Sequence, residues 1–230
     1  MFNKKNCIIL VIIINMIMSV CISMNVFAGA NLAIYMSAST TTDSTGNIWV
    51  YFGTGDKTDP SAITGYERVY AIKDSDLNLS TPPTYAISNL VNITSGTYDP
   101  ASSAHGWYIT LGSGGEKILS APVIYDQKLY FTTYTPNTIP CSQNGTAKLY
   151  VIDYLTGAGL IGGSRSQNIG YGIPSGPVIA VNPYGGKYNV YVSTSAANYG
   201  AGTDTILITD PTTQNRKLKT LIYWYDNRIQ

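Results

Sequence analysis

The chain has 230 residues, 44% apolar and 12% charged, with 14 basic against 13 acidic side chains. That length supports one sizeable domain or two small ones with a packed core. The near-neutral balance excludes the basic footprint that nucleic-acid or anionic-membrane binding requires, and abundant Gly, Thr, Ser and Tyr fit a β-rich exported protein better than a helical cytosolic one.

Residues 1–28 read as a signal peptide. Lys4 and Lys5 form a positive end, an apolar stretch expected to be a signal helix runs from Ile8 to Ile22, and Ala28, Gly29 and Ala30 follow. Val26-Phe27-Ala28 offers a cleavage site after Ala28, and Ala30 offers a second. The competing reading is an uncleaved membrane anchor, because the apolar run approaches the roughly 18–20 residues of a spanning helix. Asn15, Ser19, Ser23 and Asn25 count against it, and Met18-Ser19-Val20 before Cys21 is a poor lipobox. Cleavage leaves 12 basic against 13 acidic residues and removes Cys7 and Cys21. The remaining domain, 29–230, then keeps Cys141 alone and forms no intrachain disulfide.

Beyond the leader one pattern occurs three times. A Ser/Thr-rich strand after Ala38 meets a turn at Asp43-Ser44-Thr45-Gly46-Asn47 and returns as Ile48-Trp49-Val50-Tyr51-Phe52-Gly53. The second copy is Leu119 to Ile124, a turn at Asp126-Gln127-Lys128, and Leu129-Tyr130-Phe131-Thr132-Thr133. The third is Ile173 to Ile179, a turn around Tyr184-Gly185-Gly186, and Val190-Tyr191-Val192-Ser193-Thr194. Each reads as a hairpin whose second strand has an apolar-Tyr-apolar core. A further strand follows each hairpin: Arg68 to Ile72, Lys148 to Asp153, and Thr205 to Asp210. Corresponding tyrosines lie 79 and 61 residues apart, spacings that four-stranded sheets with variable insertions explain. No amphipathic helix is expected after the leader; Pro and Gly interrupt every stretch. The fold class is therefore all-β, with about three sheets in radial repetition and with 73–106, 134–146, 158–172 and 196–204 as long loops.

These segments, in this order, resemble the C-terminal β-propeller of the PilY family, large proteins associated with type IV pilus tips. The resemblance rests on Val50-Tyr51-Phe52-Gly53-Thr54-Gly55-Asp56-Lys57, Val69-Tyr70-Ala71-Ile72-Lys73-Asp74, Gly106-Trp107-Tyr108-Ile109, and Gly115 to Val123. It continues through Tyr130 to Pro136, Leu149 to Ala158, Ile173 to Val178 and Ile222-Tyr223-Trp224. It implies a partial quinoprotein-like propeller of about three blades, with pilus minor pilins or a missing propeller half as partners. It further implies an exported location in the periplasm, on the outer-membrane surface or at the pilus tip. An arc of three blades leaves sheet edges open, so self-association is a further expectation. Membrane attachment is expected only through an uncleaved leader.

The family's calcium loop has no match. Asp74, Asp76 and Asn78 supply alternating oxygens, but Leu79 stands where the loop needs Gly and Tyr85 where it needs a bidentate Glu. A polar turn is the expected role, with no metal and no cofactor. His105 is the one histidine, without Cys or His companions and without a Gly-x-Ser-x-Gly elbow to serve as base. It reads as a satisfied or solvated loop residue. Gly53-Thr54-Gly55-Asp56-Lys57-Thr58 lacks the Gly-Lys step of a phosphate loop, so its small residues are read as packing devices. Trp107 and Trp224 could be read as stacking groups for a quinone cofactor, but three blades cannot encircle one, and core or surface aromatics are the expected roles. The tyrosines divide between sheet interfaces and an adhesive surface, and Asn78, Asn92 and Asn144 begin glycosylation sequons. The leading expectation is a non-enzymatic protein of pilus biogenesis or adhesion; the alternatives are a periplasmic quinoprotein-like redox enzyme and a truncated remnant.

Overall fold

The computed structural model describes residues 32–63, 65–74, 85–137, 145–181 and 188–195, and the backbone of short strands at 9–11, 21–23 and 205–209. Near the N-terminus, β1 (Ile9–Val11) pairs antiparallel with β2 (Cys21–Ser23). This corrects the expected signal helix over those six residues. Ile and Val are stiff at χ1, which disfavours a helix and suits an extended ladder.

The remaining strands form three sheets. The first contains β3 (Ser39–Thr42), β4 (Ile48–Gly53), β5 (Arg68–Asp74), β6 (Val91–Asn92) and β7 (Gly106–Thr110), in the order β3-β4-β5-β7-β6. The second contains β8 (Lys117–Ile118), β9 (Val123–Tyr125), β10 (Lys128–Thr135), β11 (Thr146–Asp153) and β12 (Ser166–Tyr171). Its order is β12-β11-β10, and β8 and β9 share the remaining edge of β10. The third joins β13 (Val178–Val181), β14 (Tyr188–Ser193) and β15 (Thr205–Thr209) in sequence. All pairs are antiparallel except β6 with β7. Among the described residues the helical content is one 3₁₀ turn, Ile87–Asn89, and no helix there is long and apolar enough to cross a membrane. The all-β expectation holds.

The three copies share one register. Tyr51 stands opposite Ser39 on one side and Ala71 on the other. Tyr130 stands opposite Val123 and Val151, and Tyr191 opposite Val178 and Leu207. Local chemistry fixes the turns that set this alignment. The carboxylate of Asp43 accepts from Thr45 N, Asn47 N, Asn47 Nδ2 and Trp49 Nε1 at 2.9–3.0 Å, closing the β3–β4 hairpin. The β9–β10 hairpin turns on two residues, Asp126 and Gln127, with φ of 48° and 59°. Positive φ at both central positions is the turn whose twist matches the flanking strands.

Three expectations need correction. Leu119 to Ile124 is not one strand: Pro122 has no N–H to donate, and the ladder stops between β8 and β9. There the Ser120 and Thr132 hydroxyls meet at 2.9 Å instead. The 158–172 loop contains β12, the fifth strand of the second sheet, because the open edge of β11 pairs even a polar Ser-Gln-Asn segment. The described end of the 73–106 loop is also not free, since Tyr85, Leu90, Ile93 and Tyr98 are buried.

The sheets stack face to face in chain order. Trp49, Tyr51, Val69, Ala71, Trp107 and Ile109 of the first sheet pack on Ile118, Leu129, Phe131, Tyr150 and Ile152 of the second. The second sheet turns Tyr130, Leu149, Val151 and Ile169 to Tyr188, Val190 and Val192 of the third. The far face of the first sheet, Val50, Phe52, Tyr70 and Ile72, lies under Ile34, Ala38, Tyr85 and Leu90. β4 and β5 are thus buried on both faces, which explains apolar runs that do not alternate. Polar links also join neighbouring sheets, the first to the second and the second to the segment that leads into the third. Ser39 Oγ donates to Pro122 O at 2.6 Å, and Thr132 Oγ1 to Ser175 O at 2.9 Å.

Candidate functional site

The densest polar chemistry sits in the seam between the first two sheets. The turn after β11 sets its geometry. Asp153 Oδ1 accepts from Leu155 N, Thr156 N and Thr156 Oγ1 at 2.7–3.1 Å, and Gly157 follows at φ 67°. A Cβ on Gly157 would lie 2.3 Å from Ile93 Cδ1 and would have to be held at positive φ, so glycine is favoured there. The turn presents three successive carbonyls to the first sheet. Tyr51 OH donates to Tyr154 O at 2.9 Å, Trp107 Nε1 to Leu155 O at 2.7 Å, and Tyr98 N to Thr156 O at 2.8 Å. Burial pushes the Tyr51 phenol far above its ordinary range, which keeps it protonated as a donor. Trp107 is thus a core residue and not a stacking platform, and Trp224 lies outside the described residues.

A second cluster surrounds Glu116, whose side chain is 2% exposed. Its Oε1 accepts from Thr133 Oγ1 at 2.7 Å and Tyr150 OH at 2.9 Å; its Oε2 accepts from Lys148 Nζ at 3.0 Å and Gly112 N at 3.1 Å. Burial alone would raise this carboxyl. The Thr133 and Tyr150 hydroxyls and the Lys148 charge outweigh it and hold the group below its ordinary value. A carboxylate with four donors anchors structure; it is not poised as an acid.

Two cations clamp the sheets through backbone carbonyls. Lys117 Nζ donates to Asp59 O, Pro60 O and Ala62 O at 3.3, 3.0 and 2.6 Å, and burial lowers its pKa. Arg165 donates through Nε to Gly157 O at 2.8 Å, through Nη1 to Thr94 O at 2.9 Å, and through Nη2 to Gly96 O. Glu67, whose Oε2 is buried without a hydrogen bond, has its pKa raised by burial. Sequence reasoning missed Glu116, Lys117 and Arg165 as anchors. The one local signal was a charged residue just after a glycine pair (Gly114-Gly115) or between serines (Ser164 and Ser166), where an exposed loop would look the same.

The residues singled out from sequence do not come together. Asp74 is buried at the end of β5, opposite Ile48, while Asp76 and Asn78 lie outside the described residues, as does Cys141. Among the described residues no three His, Cys, Asp or Glu side chains gather as a metal set. His105 is packed, not solvated: its ring lies 4.5 Å from that of Tyr85 and its Nδ1 is buried without a partner. Gly53 and Gly55 bring β4 against β8. A Cβ on Gly53 would lie 2.3 Å from Ile118 Cδ1, one on Gly55 would lie 2.4 Å from Ile118 O, and Ile118 N bonds Thr54 O at 3.1 Å. That segment is a packing junction, as its small residues suggested. Asn92 is exposed, but its side chain caps Thr94 N at 3.0 Å. Tyr51, Tyr70, Tyr130 and Tyr150 are buried, and Tyr35, Tyr66 and Tyr171 are exposed.

No protein-family model and no solved structure matches the chain. A stretch of 78 residues is 32% identical to a "Type IV pilus biogenesis factor PilY1 homolog" of Xylella fastidiosa (strain Temecula1 / ATCC 700964), covering 28% of this chain and 5% of that protein. The chain therefore matches only a small part of its relative's length, and the kinship it shows is a distant, partial one to a PilY1 homolog.

Proposed function

We propose that this chain is a non-enzymatic component of type IV pilus biogenesis, exported through its leader and built as an arc of a β-propeller. The observation that carries this reading is the stretch 32% identical to a PilY1 homolog. Three sheets with one register, stacked in chain order, support the propeller arc. On this reading the seams make a rigid scaffold, and the loops between strands carry the contacts, with minor pilins or further propeller sheets as partners and surface adhesion as the outcome. The anchors Glu116, Lys117 and Arg165 serve rigidity, not turnover. Deleting the gene and restoring it in trans tests the proposal. Surface pili and twitching motility fall in the deletion and return on complementation; unchanged piliation, motility and attachment would overturn it.

A further inference from the structure

Lys117 is 2% exposed, yet among the described residues no carboxylate makes an ion pair with it. Lys128 and Lys148 differ in this, since each meets a carboxylate, on Asp126 and Glu116. The three N–H groups of Lys117 go instead to three main-chain oxygens, one acceptor for each donor. The chain that carries these oxygens holds them in place. Asp59 to Ala62 form a turn with Pro60 at its second position, closed by Ala62 N donating to Asp59 O at 3.3 Å. Ser61 Oγ donates to Asp59 Oδ1 at 2.6 Å within it. The turn rests on Gly115, where a Cβ would lie 2.5 Å from Ala62 O. The carboxylates of Glu67, Asp59 and Asp56 stand beyond ion-pair distance and add a negative field that favours a cation.

We propose that the 59–62 turn is a carbonyl cage for a monovalent cation, which the chain fills with its own Lys117 ammonium. The inference does not depend on the pilus reading. Carbonyl oxygens that converge on one point can stand in for the hydration shell of a monovalent cation. Three neutral oxygens at 2.6–3.3 Å are too few and too distant for a divalent ion. Calcium takes about 6–8 oxygens at about 2.3–2.6 Å, and magnesium an octahedron at about 2.0–2.1 Å. A free ammonium ion has the same head as the side chain and a fourth donor for water, so it fits where the Lys117 stem makes room. Potassium has the same charge without the donors. Tethering the cation to the chain keeps the cage occupied whatever ions surround the protein.

Urea unfolding of the full chain in ammonium, potassium or choline chloride at equal concentration tests it, choline being too large for the cage. Lys117→Ala removes the ammonium and its stem but leaves the turn. At ~0.2 M, ammonium or potassium raises the folding constant of this variant at least about threefold over choline, as one ion binding with a Kd of about 0.1 M requires. Lys117→Met keeps most of the stem's volume, so it is less stable than wild type and does not respond. Wild type, with its cage full, unfolds at the same urea concentration in all three salts. Sucrose added equally to every sample brings a weakly folded variant into the measurable range. Hydrogen exchange at Ala62 slows when ammonium is added to Lys117→Ala, which places the ion at the turn. Equal stability of Lys117→Ala in ammonium and choline overturns the proposal. So does an equal response in wild type or Lys117→Met, which would be a general salt effect. A response to ammonium without one to potassium also overturns it, leaving hydrogen bonds alone as the role of Lys117.

Discussion

Replacing Glu116 tests whether the seam is held by its polar anchor or by apolar packing alone. In Glu116→Gln the shape is kept, and the amide nitrogen can turn toward Thr133 and Tyr150, whose hydroxyls accept as well as donate. The remaining oxygen still accepts from Lys148 and Gly112. What is lost is the charge assistance in these bonds, about 1–2 kcal/mol. Glu116→Ala instead leaves Thr133, Tyr150 and Gly112 without their acceptor inside the seam, while Lys148, 34% exposed, turns to water. That variant loses about 3–5 kcal/mol. Urea unfolding followed by tryptophan fluorescence measures both. The pH dependence gives a second, independent readout. Because the folded-state pKa of Glu116 lies below its ordinary value of 4.5, its contribution is complete above that value and fades as pH falls through the folded-state pKa. The gap between wild type and Glu116→Gln therefore narrows in acid. Equal losses in the two variants, or a gap that does not change with pH, would refute the assignment.

Other substitutions probe the junctions. Gly53→Ala and Gly55→Ala each lower the urea midpoint by about 1–3 kcal/mol equivalent. Ile118→Ala offsets part of the first loss, because it removes the Cδ1 and Cγ1 in the way and leaves only the Cβ at 2.8 Å, and none of the second, where the obstacle is a carbonyl oxygen; a double-mutant cycle reads the difference. Gln127→Gly relieves a left-handed residue at φ 59° and raises the melting temperature, the gain being about 1 kcal/mol. Trp107→Phe keeps a ring in the seam but removes the donor to Leu155 O, costing about 1–3 kcal/mol by calorimetry. An unchanged melting temperature there would mean that the indole bond contributes nothing.

The hairpins and the strands after them were legible because their signals are local: an apolar-Tyr-apolar core, a polar turn, and a fixed order. The common register of Tyr51, Tyr130 and Tyr191 then follows from the same repeat. Signals that depend on distant partners were not legible. Glu116 meets Lys148 and Tyr150 across 32 and 34 residues of chain, and Arg165 reaches Thr94 across 71. Nothing near either residue distinguishes it from a solvated loop charge. β12 was hidden for a related reason, since Ser166-Gln167-Asn168 has little strand preference and pairs because the edge of β11 is available. Over the first residues, composition suggested export and therefore a helix, yet the same Ile and Val side chains also suit a ladder.

Lys117 and Arg165 grip main-chain carbonyls, and every residue type supplies a carbonyl. The grip therefore depends on the path of the loops at 59–62 and 94–96 and not on the side chains they carry. Apart from Thr94, whose hydroxyl also accepts from Thr110 N, the clamp itself asks little of those side chains. A scaffold of this kind separates the composition of its outer loops from the cost of holding itself together, so new surfaces can be written onto it without rebuilding the seam beneath.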